Sequence, residues 1–180
     1  EFMRGNVLWH IDMLSAAVPN FASILSPRIL SDEGGETEFA NSYAAWEDLP
    51  DEDKAEYDGL RVMHSLEASQ LMVNPEPTLE KLQLWRGISP SREHPLVWTH
   101  ETGRKSLVIG ASADYVLGKS AEDSRYILTR LRDWATQPHY VYRHVWKPGD
   151  LLIWDNTGTM HRVLPFPMDS GRLMSRTAIE

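Results

Sequence analysis

His10 and Asp12 stand two positions apart in Trp9-His10-Ile11-Asp12, and in an extended segment residues i and i+2 face the same way. An imidazole and a carboxylate so placed can share one ion. Taken alone, His-x-Asp is a weak signal, because such pairs often occur by chance as surface or hydrogen-bonded neighbours. A second segment changes the weighing: the apolar run ending in Trp154-Asp155-Asn156 passes through a turn to His161, 151 positions after the first histidine. Two histidines and one carboxylate on separate strands form a facial triad, which leaves coordination positions open and suits non-haem Fe(II). Bound by one carboxylate and two neutral imidazoles, such an ion keeps positive charge and accepts a chelating anion. The far end of a dicarboxylate then needs a cation, and Arg172 and Arg176 follow on one face of a strand. Arginine grips a carboxylate through two parallel hydrogen bonds, which lysine cannot imitate. Two exposed strand charges are the plain alternative for this pair.

The elements that must position these groups are mostly short. Residues 7–12 and 21–30 read as strands, the second interrupted by Pro27, which predicts an edge position or a bulge. Asp32-Glu33-Gly34-Gly35 is a turn, Asn41 caps a helix over 42–47, and Pro50 opens another over 51–57. Residues 62–66 and 105–110 read as strands. A helix starts at Ser120, a capping residue, and runs to the stop before Pro138 with Ile127, Leu131 and Trp134 at helical spacing. Segments 140–146, 151–155 and 173–179 read as strands. Residues 68–95 hold Pro75, Pro77, Pro90 and Pro95 without sustained periodicity, and this irregular stretch is the expected mobile lid, closing over substrate to exclude water. The sum is one mainly β domain decorated by helices, a sandwich or barrel.

Composition narrows the chemistry further. The chain has 180 residues and no cysteine, which removes disulfide frameworks, thiolate metal clusters and cysteine nucleophiles. The net charge is −8, unevenly spread: residues 1–60 carry 13 acidic and 3 basic side chains, residues 125–180 carry 5 and 8. The acidic block 47–58 reads as a solvated helix face. Overall acidity argues against nucleic acid as a partner, and no apolar run approaches the ~20 residues that cross a bilayer. A cytoplasmic protein acting on a small molecule, without nucleic-acid or membrane partners and self-associating as a homo-oligomer, is the expectation.

His10-Ile11-Asp12, Gly34-Gly35-Glu36-Thr37, Trp154-Asp155-Asn156 through His161, and Arg172 with Arg176 resemble, in order and approximate spacing, the taurine dioxygenase (TauD/TfdA) family of Fe(II)- and 2-oxoglutarate-dependent oxygenases. The branch with the 2,4-dichlorophenoxyacetate dioxygenase is the most similar. Ala44-Ala45-Trp46, His64-Ser65-Leu66 and Gly103-Arg104-Lys105 support the likeness, which runs over essentially the whole chain. The resemblance implies a double-stranded β-helix (jelly roll) with His10, Asp12 and His161 as iron ligands. It implies that Thr37 and Arg172 bind the distal carboxylate of 2-oxoglutarate. Arg176 is implied near the C1 carboxylate or an acidic substrate. His100 is a candidate substrate contact, with a structural hydrogen bond as the alternative, and the Glu101 that follows departs from the family's usual Pro. The implied reaction consumes O2 and 2-oxoglutarate, releases succinate and CO2, and hydroxylates a small, anionic organic molecule. Relatives carry further chain ahead of the His-x-Asp segment, so the N-terminal part of the fold is expected to be missing and Glu1 is not expected to be a natural start. A jelly-roll protein that binds metal or ligand without turnover is the alternative. His64, His94, His139 and His144 carry no spacing argument and read as structural, and Asn156 reads as shaping the turn before His161.

Overall fold

The computed structural model describes residues 2–179, with side chains from Gly5 onward. Eleven strands and five α-helices follow one another in the order β1 (Ala22–Ile29), β2 (Thr37–Asn41), α1 (Ser42–Glu47), α2 (Asp51–Tyr57), β3 (Arg61–His64), α3 (Leu66–Val73), α4 (Leu79–Ile88), β4 (Arg92–Pro95), β5 (Val97–Thr99), β6 (Lys105–Leu107), β7 (Ala113–Val116), α5 (Ala121–Ala135), β8 (Val141–His144), β9 (Leu152–Asp155), β10 (Thr159–Val163) and β11 (Leu173–Ile179).

Two antiparallel sheets matter for the site. One has the order β11-β1-β9 and the other β10-β2-β8. They meet face to face where Phe39 of β2 packs on Trp154 of β9, ring centroids 5.2 Å apart. The chain changes sheet between β9 and β10, as jelly rolls do. Further sheets, β4-β3-β7 and β5-β6, join them around a shared apolar cluster that includes Trp9, Ile11, Ala40, Trp46, Leu107 and Met160. Among the described residues no helix is long and apolar enough to cross a membrane.

Local signals act as expected where side chains close their own backbone. Asn41 Oδ1 accepts from Ala44 N at the start of α1, and Ser120 Oγ accepts from Asp123 N at the start of α5. Pro27 sits where β1 pairs with β11 alone, beside a register shift between Pro27 and Ile29; a residue without an N–H fits such a place.

Three readings need correction. Residues 7–12 are not a strand: a 3-10 turn over Phe2–Val7 leads into one isolated bridge between His10 and His161, and the chain turns at once, with Met13 at φ 58°. A short apolar alternation cannot distinguish a ladder from a single bridge. Residues 68–95 are not irregular, since Ser65 caps α3 and Thr78 caps α4 through their hydroxyls. Glu67 and Arg86 tie the two helices together, and the prolines lie between and after them. The acidic block is more than a solvated face. Glu47 pairs with Arg104, Asp58 with Lys105, and buried Asp53 takes a bidentate grip from Arg130 at 2.6 and 2.8 Å. These bonds fasten α1 and α2 to α5 and to β6 with the turn before it. Removing one partner of a buried pair strands the other, discounted here because Arg130 is more than a third exposed. Asp53→Ala is therefore expected to cost about 1–3 kcal/mol in urea unfolding, and an unchanged midpoint would show that the pair contributes nothing.

Candidate metal centre

His10 and His161 exchange both backbone hydrogen bonds of their bridge, at 3.0 and 2.9 Å. That brings the two imidazoles together with ring centroids 4.2 Å apart. The close approach of residues 9–10 to the chain beside them depends on Gly110. At φ 122° it lies in the region that favours glycine, and a Cβ there would stand 2.9 Å from Trp9 O and 3.1 Å from the His10 Cα. His10 Nδ1 bonds Leu8 O at 2.8 Å. Because a carbonyl only accepts, Nδ1 carries the proton and Nε2 is left with its lone pair.

Asp12 is held from every side. Ser23 Oγ donates to Oδ2 at 2.9 Å and Arg176 Nη1 to Oδ1 at 3.0 Å. Asn156, fully buried, fixes the main chain: its Oδ1 accepts from Asp12 N and its Nδ2 donates to Asp12 O, both at 3.0 Å. The same amide nitrogen reaches Asn20 O, and Asn20 in turn donates to Ala22 O and Ser23 Oγ. This small polar lattice replaces the strand that alternation predicts and aims the carboxylate without a ladder. His161 on β10 is flanked by Trp154 and Phe39, at ring centroids of 4.9 and 6.3 Å.

His10 Nε2 stands 3.8 Å from Asp12 Oδ1, and His161 Nε2 stands 3.6 Å from Oδ2. These separations exceed a hydrogen bond, so no proton joins the three groups. All three ligand atoms nevertheless lie within 4.8 Å of one another. Burial holds both imidazoles below the usual histidine range, His161 well below it, with the His10 and Arg176 charges adding to the effect at His161. Two neutral imidazole nitrogens and one carboxylate, their second atoms engaged or enclosed, fit a divalent ion of the non-haem iron type.

Arg172, just ahead of β11, is half-buried. Its Nη2 donates to Gly35 O at 3.0 Å, its guanidinium lies 4.8 Å over the Phe166 ring, and burial lowers its pKa. It pairs with no carboxylate among the described residues, which leaves most of its donor fork available to an anion. The Gly34-Gly35 pair is thus more than a turn: a Cβ on Gly35 would press to 2.8 Å from Arg172 Nε. Thr37, two residues on, is buried, and its Oγ1 accepts from Trp146 Nε1 at 2.9 Å, so its own proton is free to donate.

His100 stands elsewhere. It bridges Tyr43 OH and Ser106 Oγ at 3.1 and 2.8 Å, with Asp155 beyond Tyr43 and Thr157 O beyond Ser106. This chain braces the 155–158 turn. Among the described residues, no hydrogen bond or ring contact joins it to His10, Asp12 or His161. Arg176 is engaged by Asp12 itself, a neighbour that its spacing from Arg172 does not reveal.

A cavity of about 210 Å³ opens beside His10 and Asp12 and is lined also by His64 and Gln70. A larger cleft of about 950 Å³, between α3, β7 and α5, reaches none of His10, Asp12 and His161. Burial pushes His64 down to about 3, so it is neutral in the fold and protonated in the unfolded chain below about 6.5. Its contribution to stability is complete above that value and is lost as pH falls toward 3. Metal-free protein is expected to lose about 2 kcal/mol between pH 7 and 5 from this one group. Urea unfolding at the two pH values reads it, and His64→Gln should make the difference smaller by about that amount.

Comparison with known proteins agrees with this geometry. The profile of the family described as "Taurine catabolism dioxygenase TauD, TfdA family" matches residues 2–178. An alpha-ketoglutarate-dependent 2,4-dichlorophenoxyacetate dioxygenase of Burkholderia sp. (strain RASC) is 38% identical over 173 residues, 96% of this chain and 57% of that protein. An (S)-phenoxypropionate/alpha-ketoglutarate-dioxygenase of Sphingobium herbicidovorans is 35% identical over 185 residues, 99% of this chain and 64% of that protein. The crystal structure of AAD-2 in complex with Mn(II) and N-oxalylglycine superimposes with a TM-score of 0.92 at 38% identity, covering 99% of this chain and 70% of that one. The chain therefore spans about 57–64% of the length of the curated relatives it matches.

Proposed function

The chain belongs to the TauD/TfdA family of taurine catabolism dioxygenases, and from that premise we propose that it forms the metal-bearing part of an Fe(II)- and 2-oxoglutarate-dependent dioxygenase that hydroxylates a small organic molecule. The observation that carries the reading is the convergence of His10, Asp12 and His161 within 4.8 Å, with burial holding both imidazoles below the usual histidine range. The iron, when bound, supplies O2 activation driven by oxidative decarboxylation of 2-oxoglutarate to succinate and CO2.

The protein's own groups supply placement. Leu8 O fixes the His10 tautomer, while Ser23, Arg176 and Asn156 hold Asp12 so that little reorganisation is left when the ion enters. Arg172, helped by Thr37, is the proposed anchor for the distal carboxylate; a half-buried guanidinium with free donors supports it. Arg176 keeps donors beyond the one given to Asp12, which supports a role at the C1 carboxylate or at an acidic substrate. Phe39 and Trp154 wall His161 with apolar surface and keep bulk water from that side. The paired helices α3 and α4 are the proposed cover, α3 lying along the cavity through Leu66, Ser69 and Gln70. Anionic substrates are supported by the relatives, which are named for phenoxyacetate, phenoxypropionate and sulfate esters. Cytoplasmic residence and self-association belong to the same proposal. Exposed Leu151, Ile153 and Leu173 at and beside the two edge strands of one sheet support the second.

Anaerobic addition of Fe(II) and then 2-oxoglutarate is the test. A weak visible charge-transfer band is expected, followed in air by succinate release that rises with the right sulfonate, sulfate ester or aryloxyacid. Folded protein that gives neither band nor succinate would overturn the assignment.

A further inference from the structure

His10 meets the jelly roll without a ladder, through one isolated bridge to His161. Both hydrogen bonds of that bridge run between the same two residues. The adjacent pair, Trp9 opposite Arg162, is therefore of the kind without hydrogen bonds, in which side chains come closest. The Trp9 carbonyl is taken by Ala111 N at 2.8 Å. Side chains join this pair instead, the Arg162 guanidinium lying 4.5 Å over the Trp9 ring, and such cross-strand pairs are what hold neighbouring segments in register.

Arg162 is itself held. In β10 it stands opposite Glu38 of β2, which stands opposite Arg143 of β8. Glu38 is 4% exposed. Its Oε2 accepts from Arg162 Nε and Nη2 at 2.8 and 2.7 Å, and its Oε1 from Arg143 Nε and Nη2 at 2.9 and 2.7 Å. Trp9, Arg162, Glu38 and Arg143 thus form one row across four chain segments. Successive side chains of a strand point to opposite faces, and the next row, on the other face, is His10, His161, Phe39 and Tyr142. One row faces the metal centre and the other backs it.

Charge and position act in opposite senses here. A guanidinium on the residue after His161 disfavours a cation by its charge, as Arg176 beside Asp12 does, although Glu38 lies against it. A clamp across the bridge favours the cation, because it keeps His10 beside His161 before the ion arrives. The opposite signs make the two effects separable.

We propose that Arg162 is a positioning residue of the metal centre: anchored by Glu38 and stacked on Trp9, it holds the bridge between His10 and His161 closed from the far face of the sheet. The inference rests on the metal-centre reading for its effect on ion affinity, whereas the bridge itself is read without any ion.

The test compares the wild type with Arg162→Met, Arg162→Lys and Asp53→Ala, the last loosening the Arg130 pair, which lies outside this row. Amide hydrogen exchange of metal-free protein reads the bridge. Relative to the amide of Leu131 within α5, the His10 and His161 amides are expected to exchange about three- to thirtyfold faster in Arg162→Met, the range of a lost cation–π contact. Co(II) alone, without 2-oxoglutarate, should bind that variant more weakly by a similar factor and with altered visible d–d bands. Arg162→Lys should fall between, since lysine keeps the charge but not the fork that serves Glu38, and it carries the same comparison if Arg162→Met does not fold. Asp53→Ala should lower stability and leave Co(II) affinity and bands as in the wild type. Tighter Co(II) binding in Arg162→Met would show charge rather than placement at work and overturn the proposal. Unchanged relative exchange at His10, or an equal loss of Co(II) affinity in Asp53→Ala, would overturn it too. Wild-type protein that binds no Co(II) while His10 exchange still depends on Arg162 would instead overturn the metal-centre reading and leave the clamp on the bridge standing.

Discussion

Asp12→Ala is expected to abolish stable Fe(II) binding and with it all succinate release. The carboxylate is the only anionic member of the three converging groups, and two neutral imidazoles alone neither offset the ion's charge nor complete a facial set. The substitution also strands the groups that Asp12 satisfies: Arg176 Nη1 loses its 3.0 Å partner and Ser23 Oγ its 2.9 Å acceptor. Leaving the guanidinium beside two imidazoles turns the local field against a cation. The backbone clamp from Asn156 does not depend on the Asp12 side chain, so the loop should stay in place. Iron retained after desalting, measured against far-UV circular dichroism of the same sample, decides the matter. Retention of stoichiometric iron with full succinate production would remove Asp12 from the ligand set.

Arg172→Ala is expected to raise the 2-oxoglutarate requirement by about 30-fold or more, on the ~2–5 kcal/mol that truncating one side of a buried, hydrogen-bonded charge pair costs. Half-burial makes the effect large, since a desolvated guanidinium gains more from a carboxylate than an exposed one. Arg172→Lys should recover only part, because a point charge lacks the parallel fork. Iron affinity without 2-oxoglutarate should be unchanged, for Arg172 touches Gly35 and Phe166 and not the three ligands. Titrating the charge-transfer band gives the constant directly, and an unchanged value would transfer the distal carboxylate to another cation.

Both effects concern residue types that the sequence displays openly. Two histidines, an aspartate and two arginines at telling intervals are legible because metal and carboxylate chemistry admits few substitutes. The local devices were equally legible. Asn41 and Ser120 cap their helices and Pro27 marks its bulge, because each acts on backbone within a few residues of itself. The helices of residues 66–88 were not, although Ser65 and Thr78 cap them in the same way. Prolines dominate that stretch, and helices this short depend on packing more than on propensity.

What the sequence determined by itself was the donor set, the family likeness and the mainly β class, since these follow from side-chain chemistry and short-range periodicity. How the donors meet was decided only in the tertiary structure. Asp12 is aimed by Asn156, 144 positions away, and by Arg176, 164 positions away, across distances over which no periodic pattern carries information. The same holds for His64 and Gln70: their types are unremarkable in sequence, and only the closed packing around them leaves one polar atom of each buried and unpaired. Desolvation is a property of the assembled fold, and it is desolvation that turns ordinary side chains into a site.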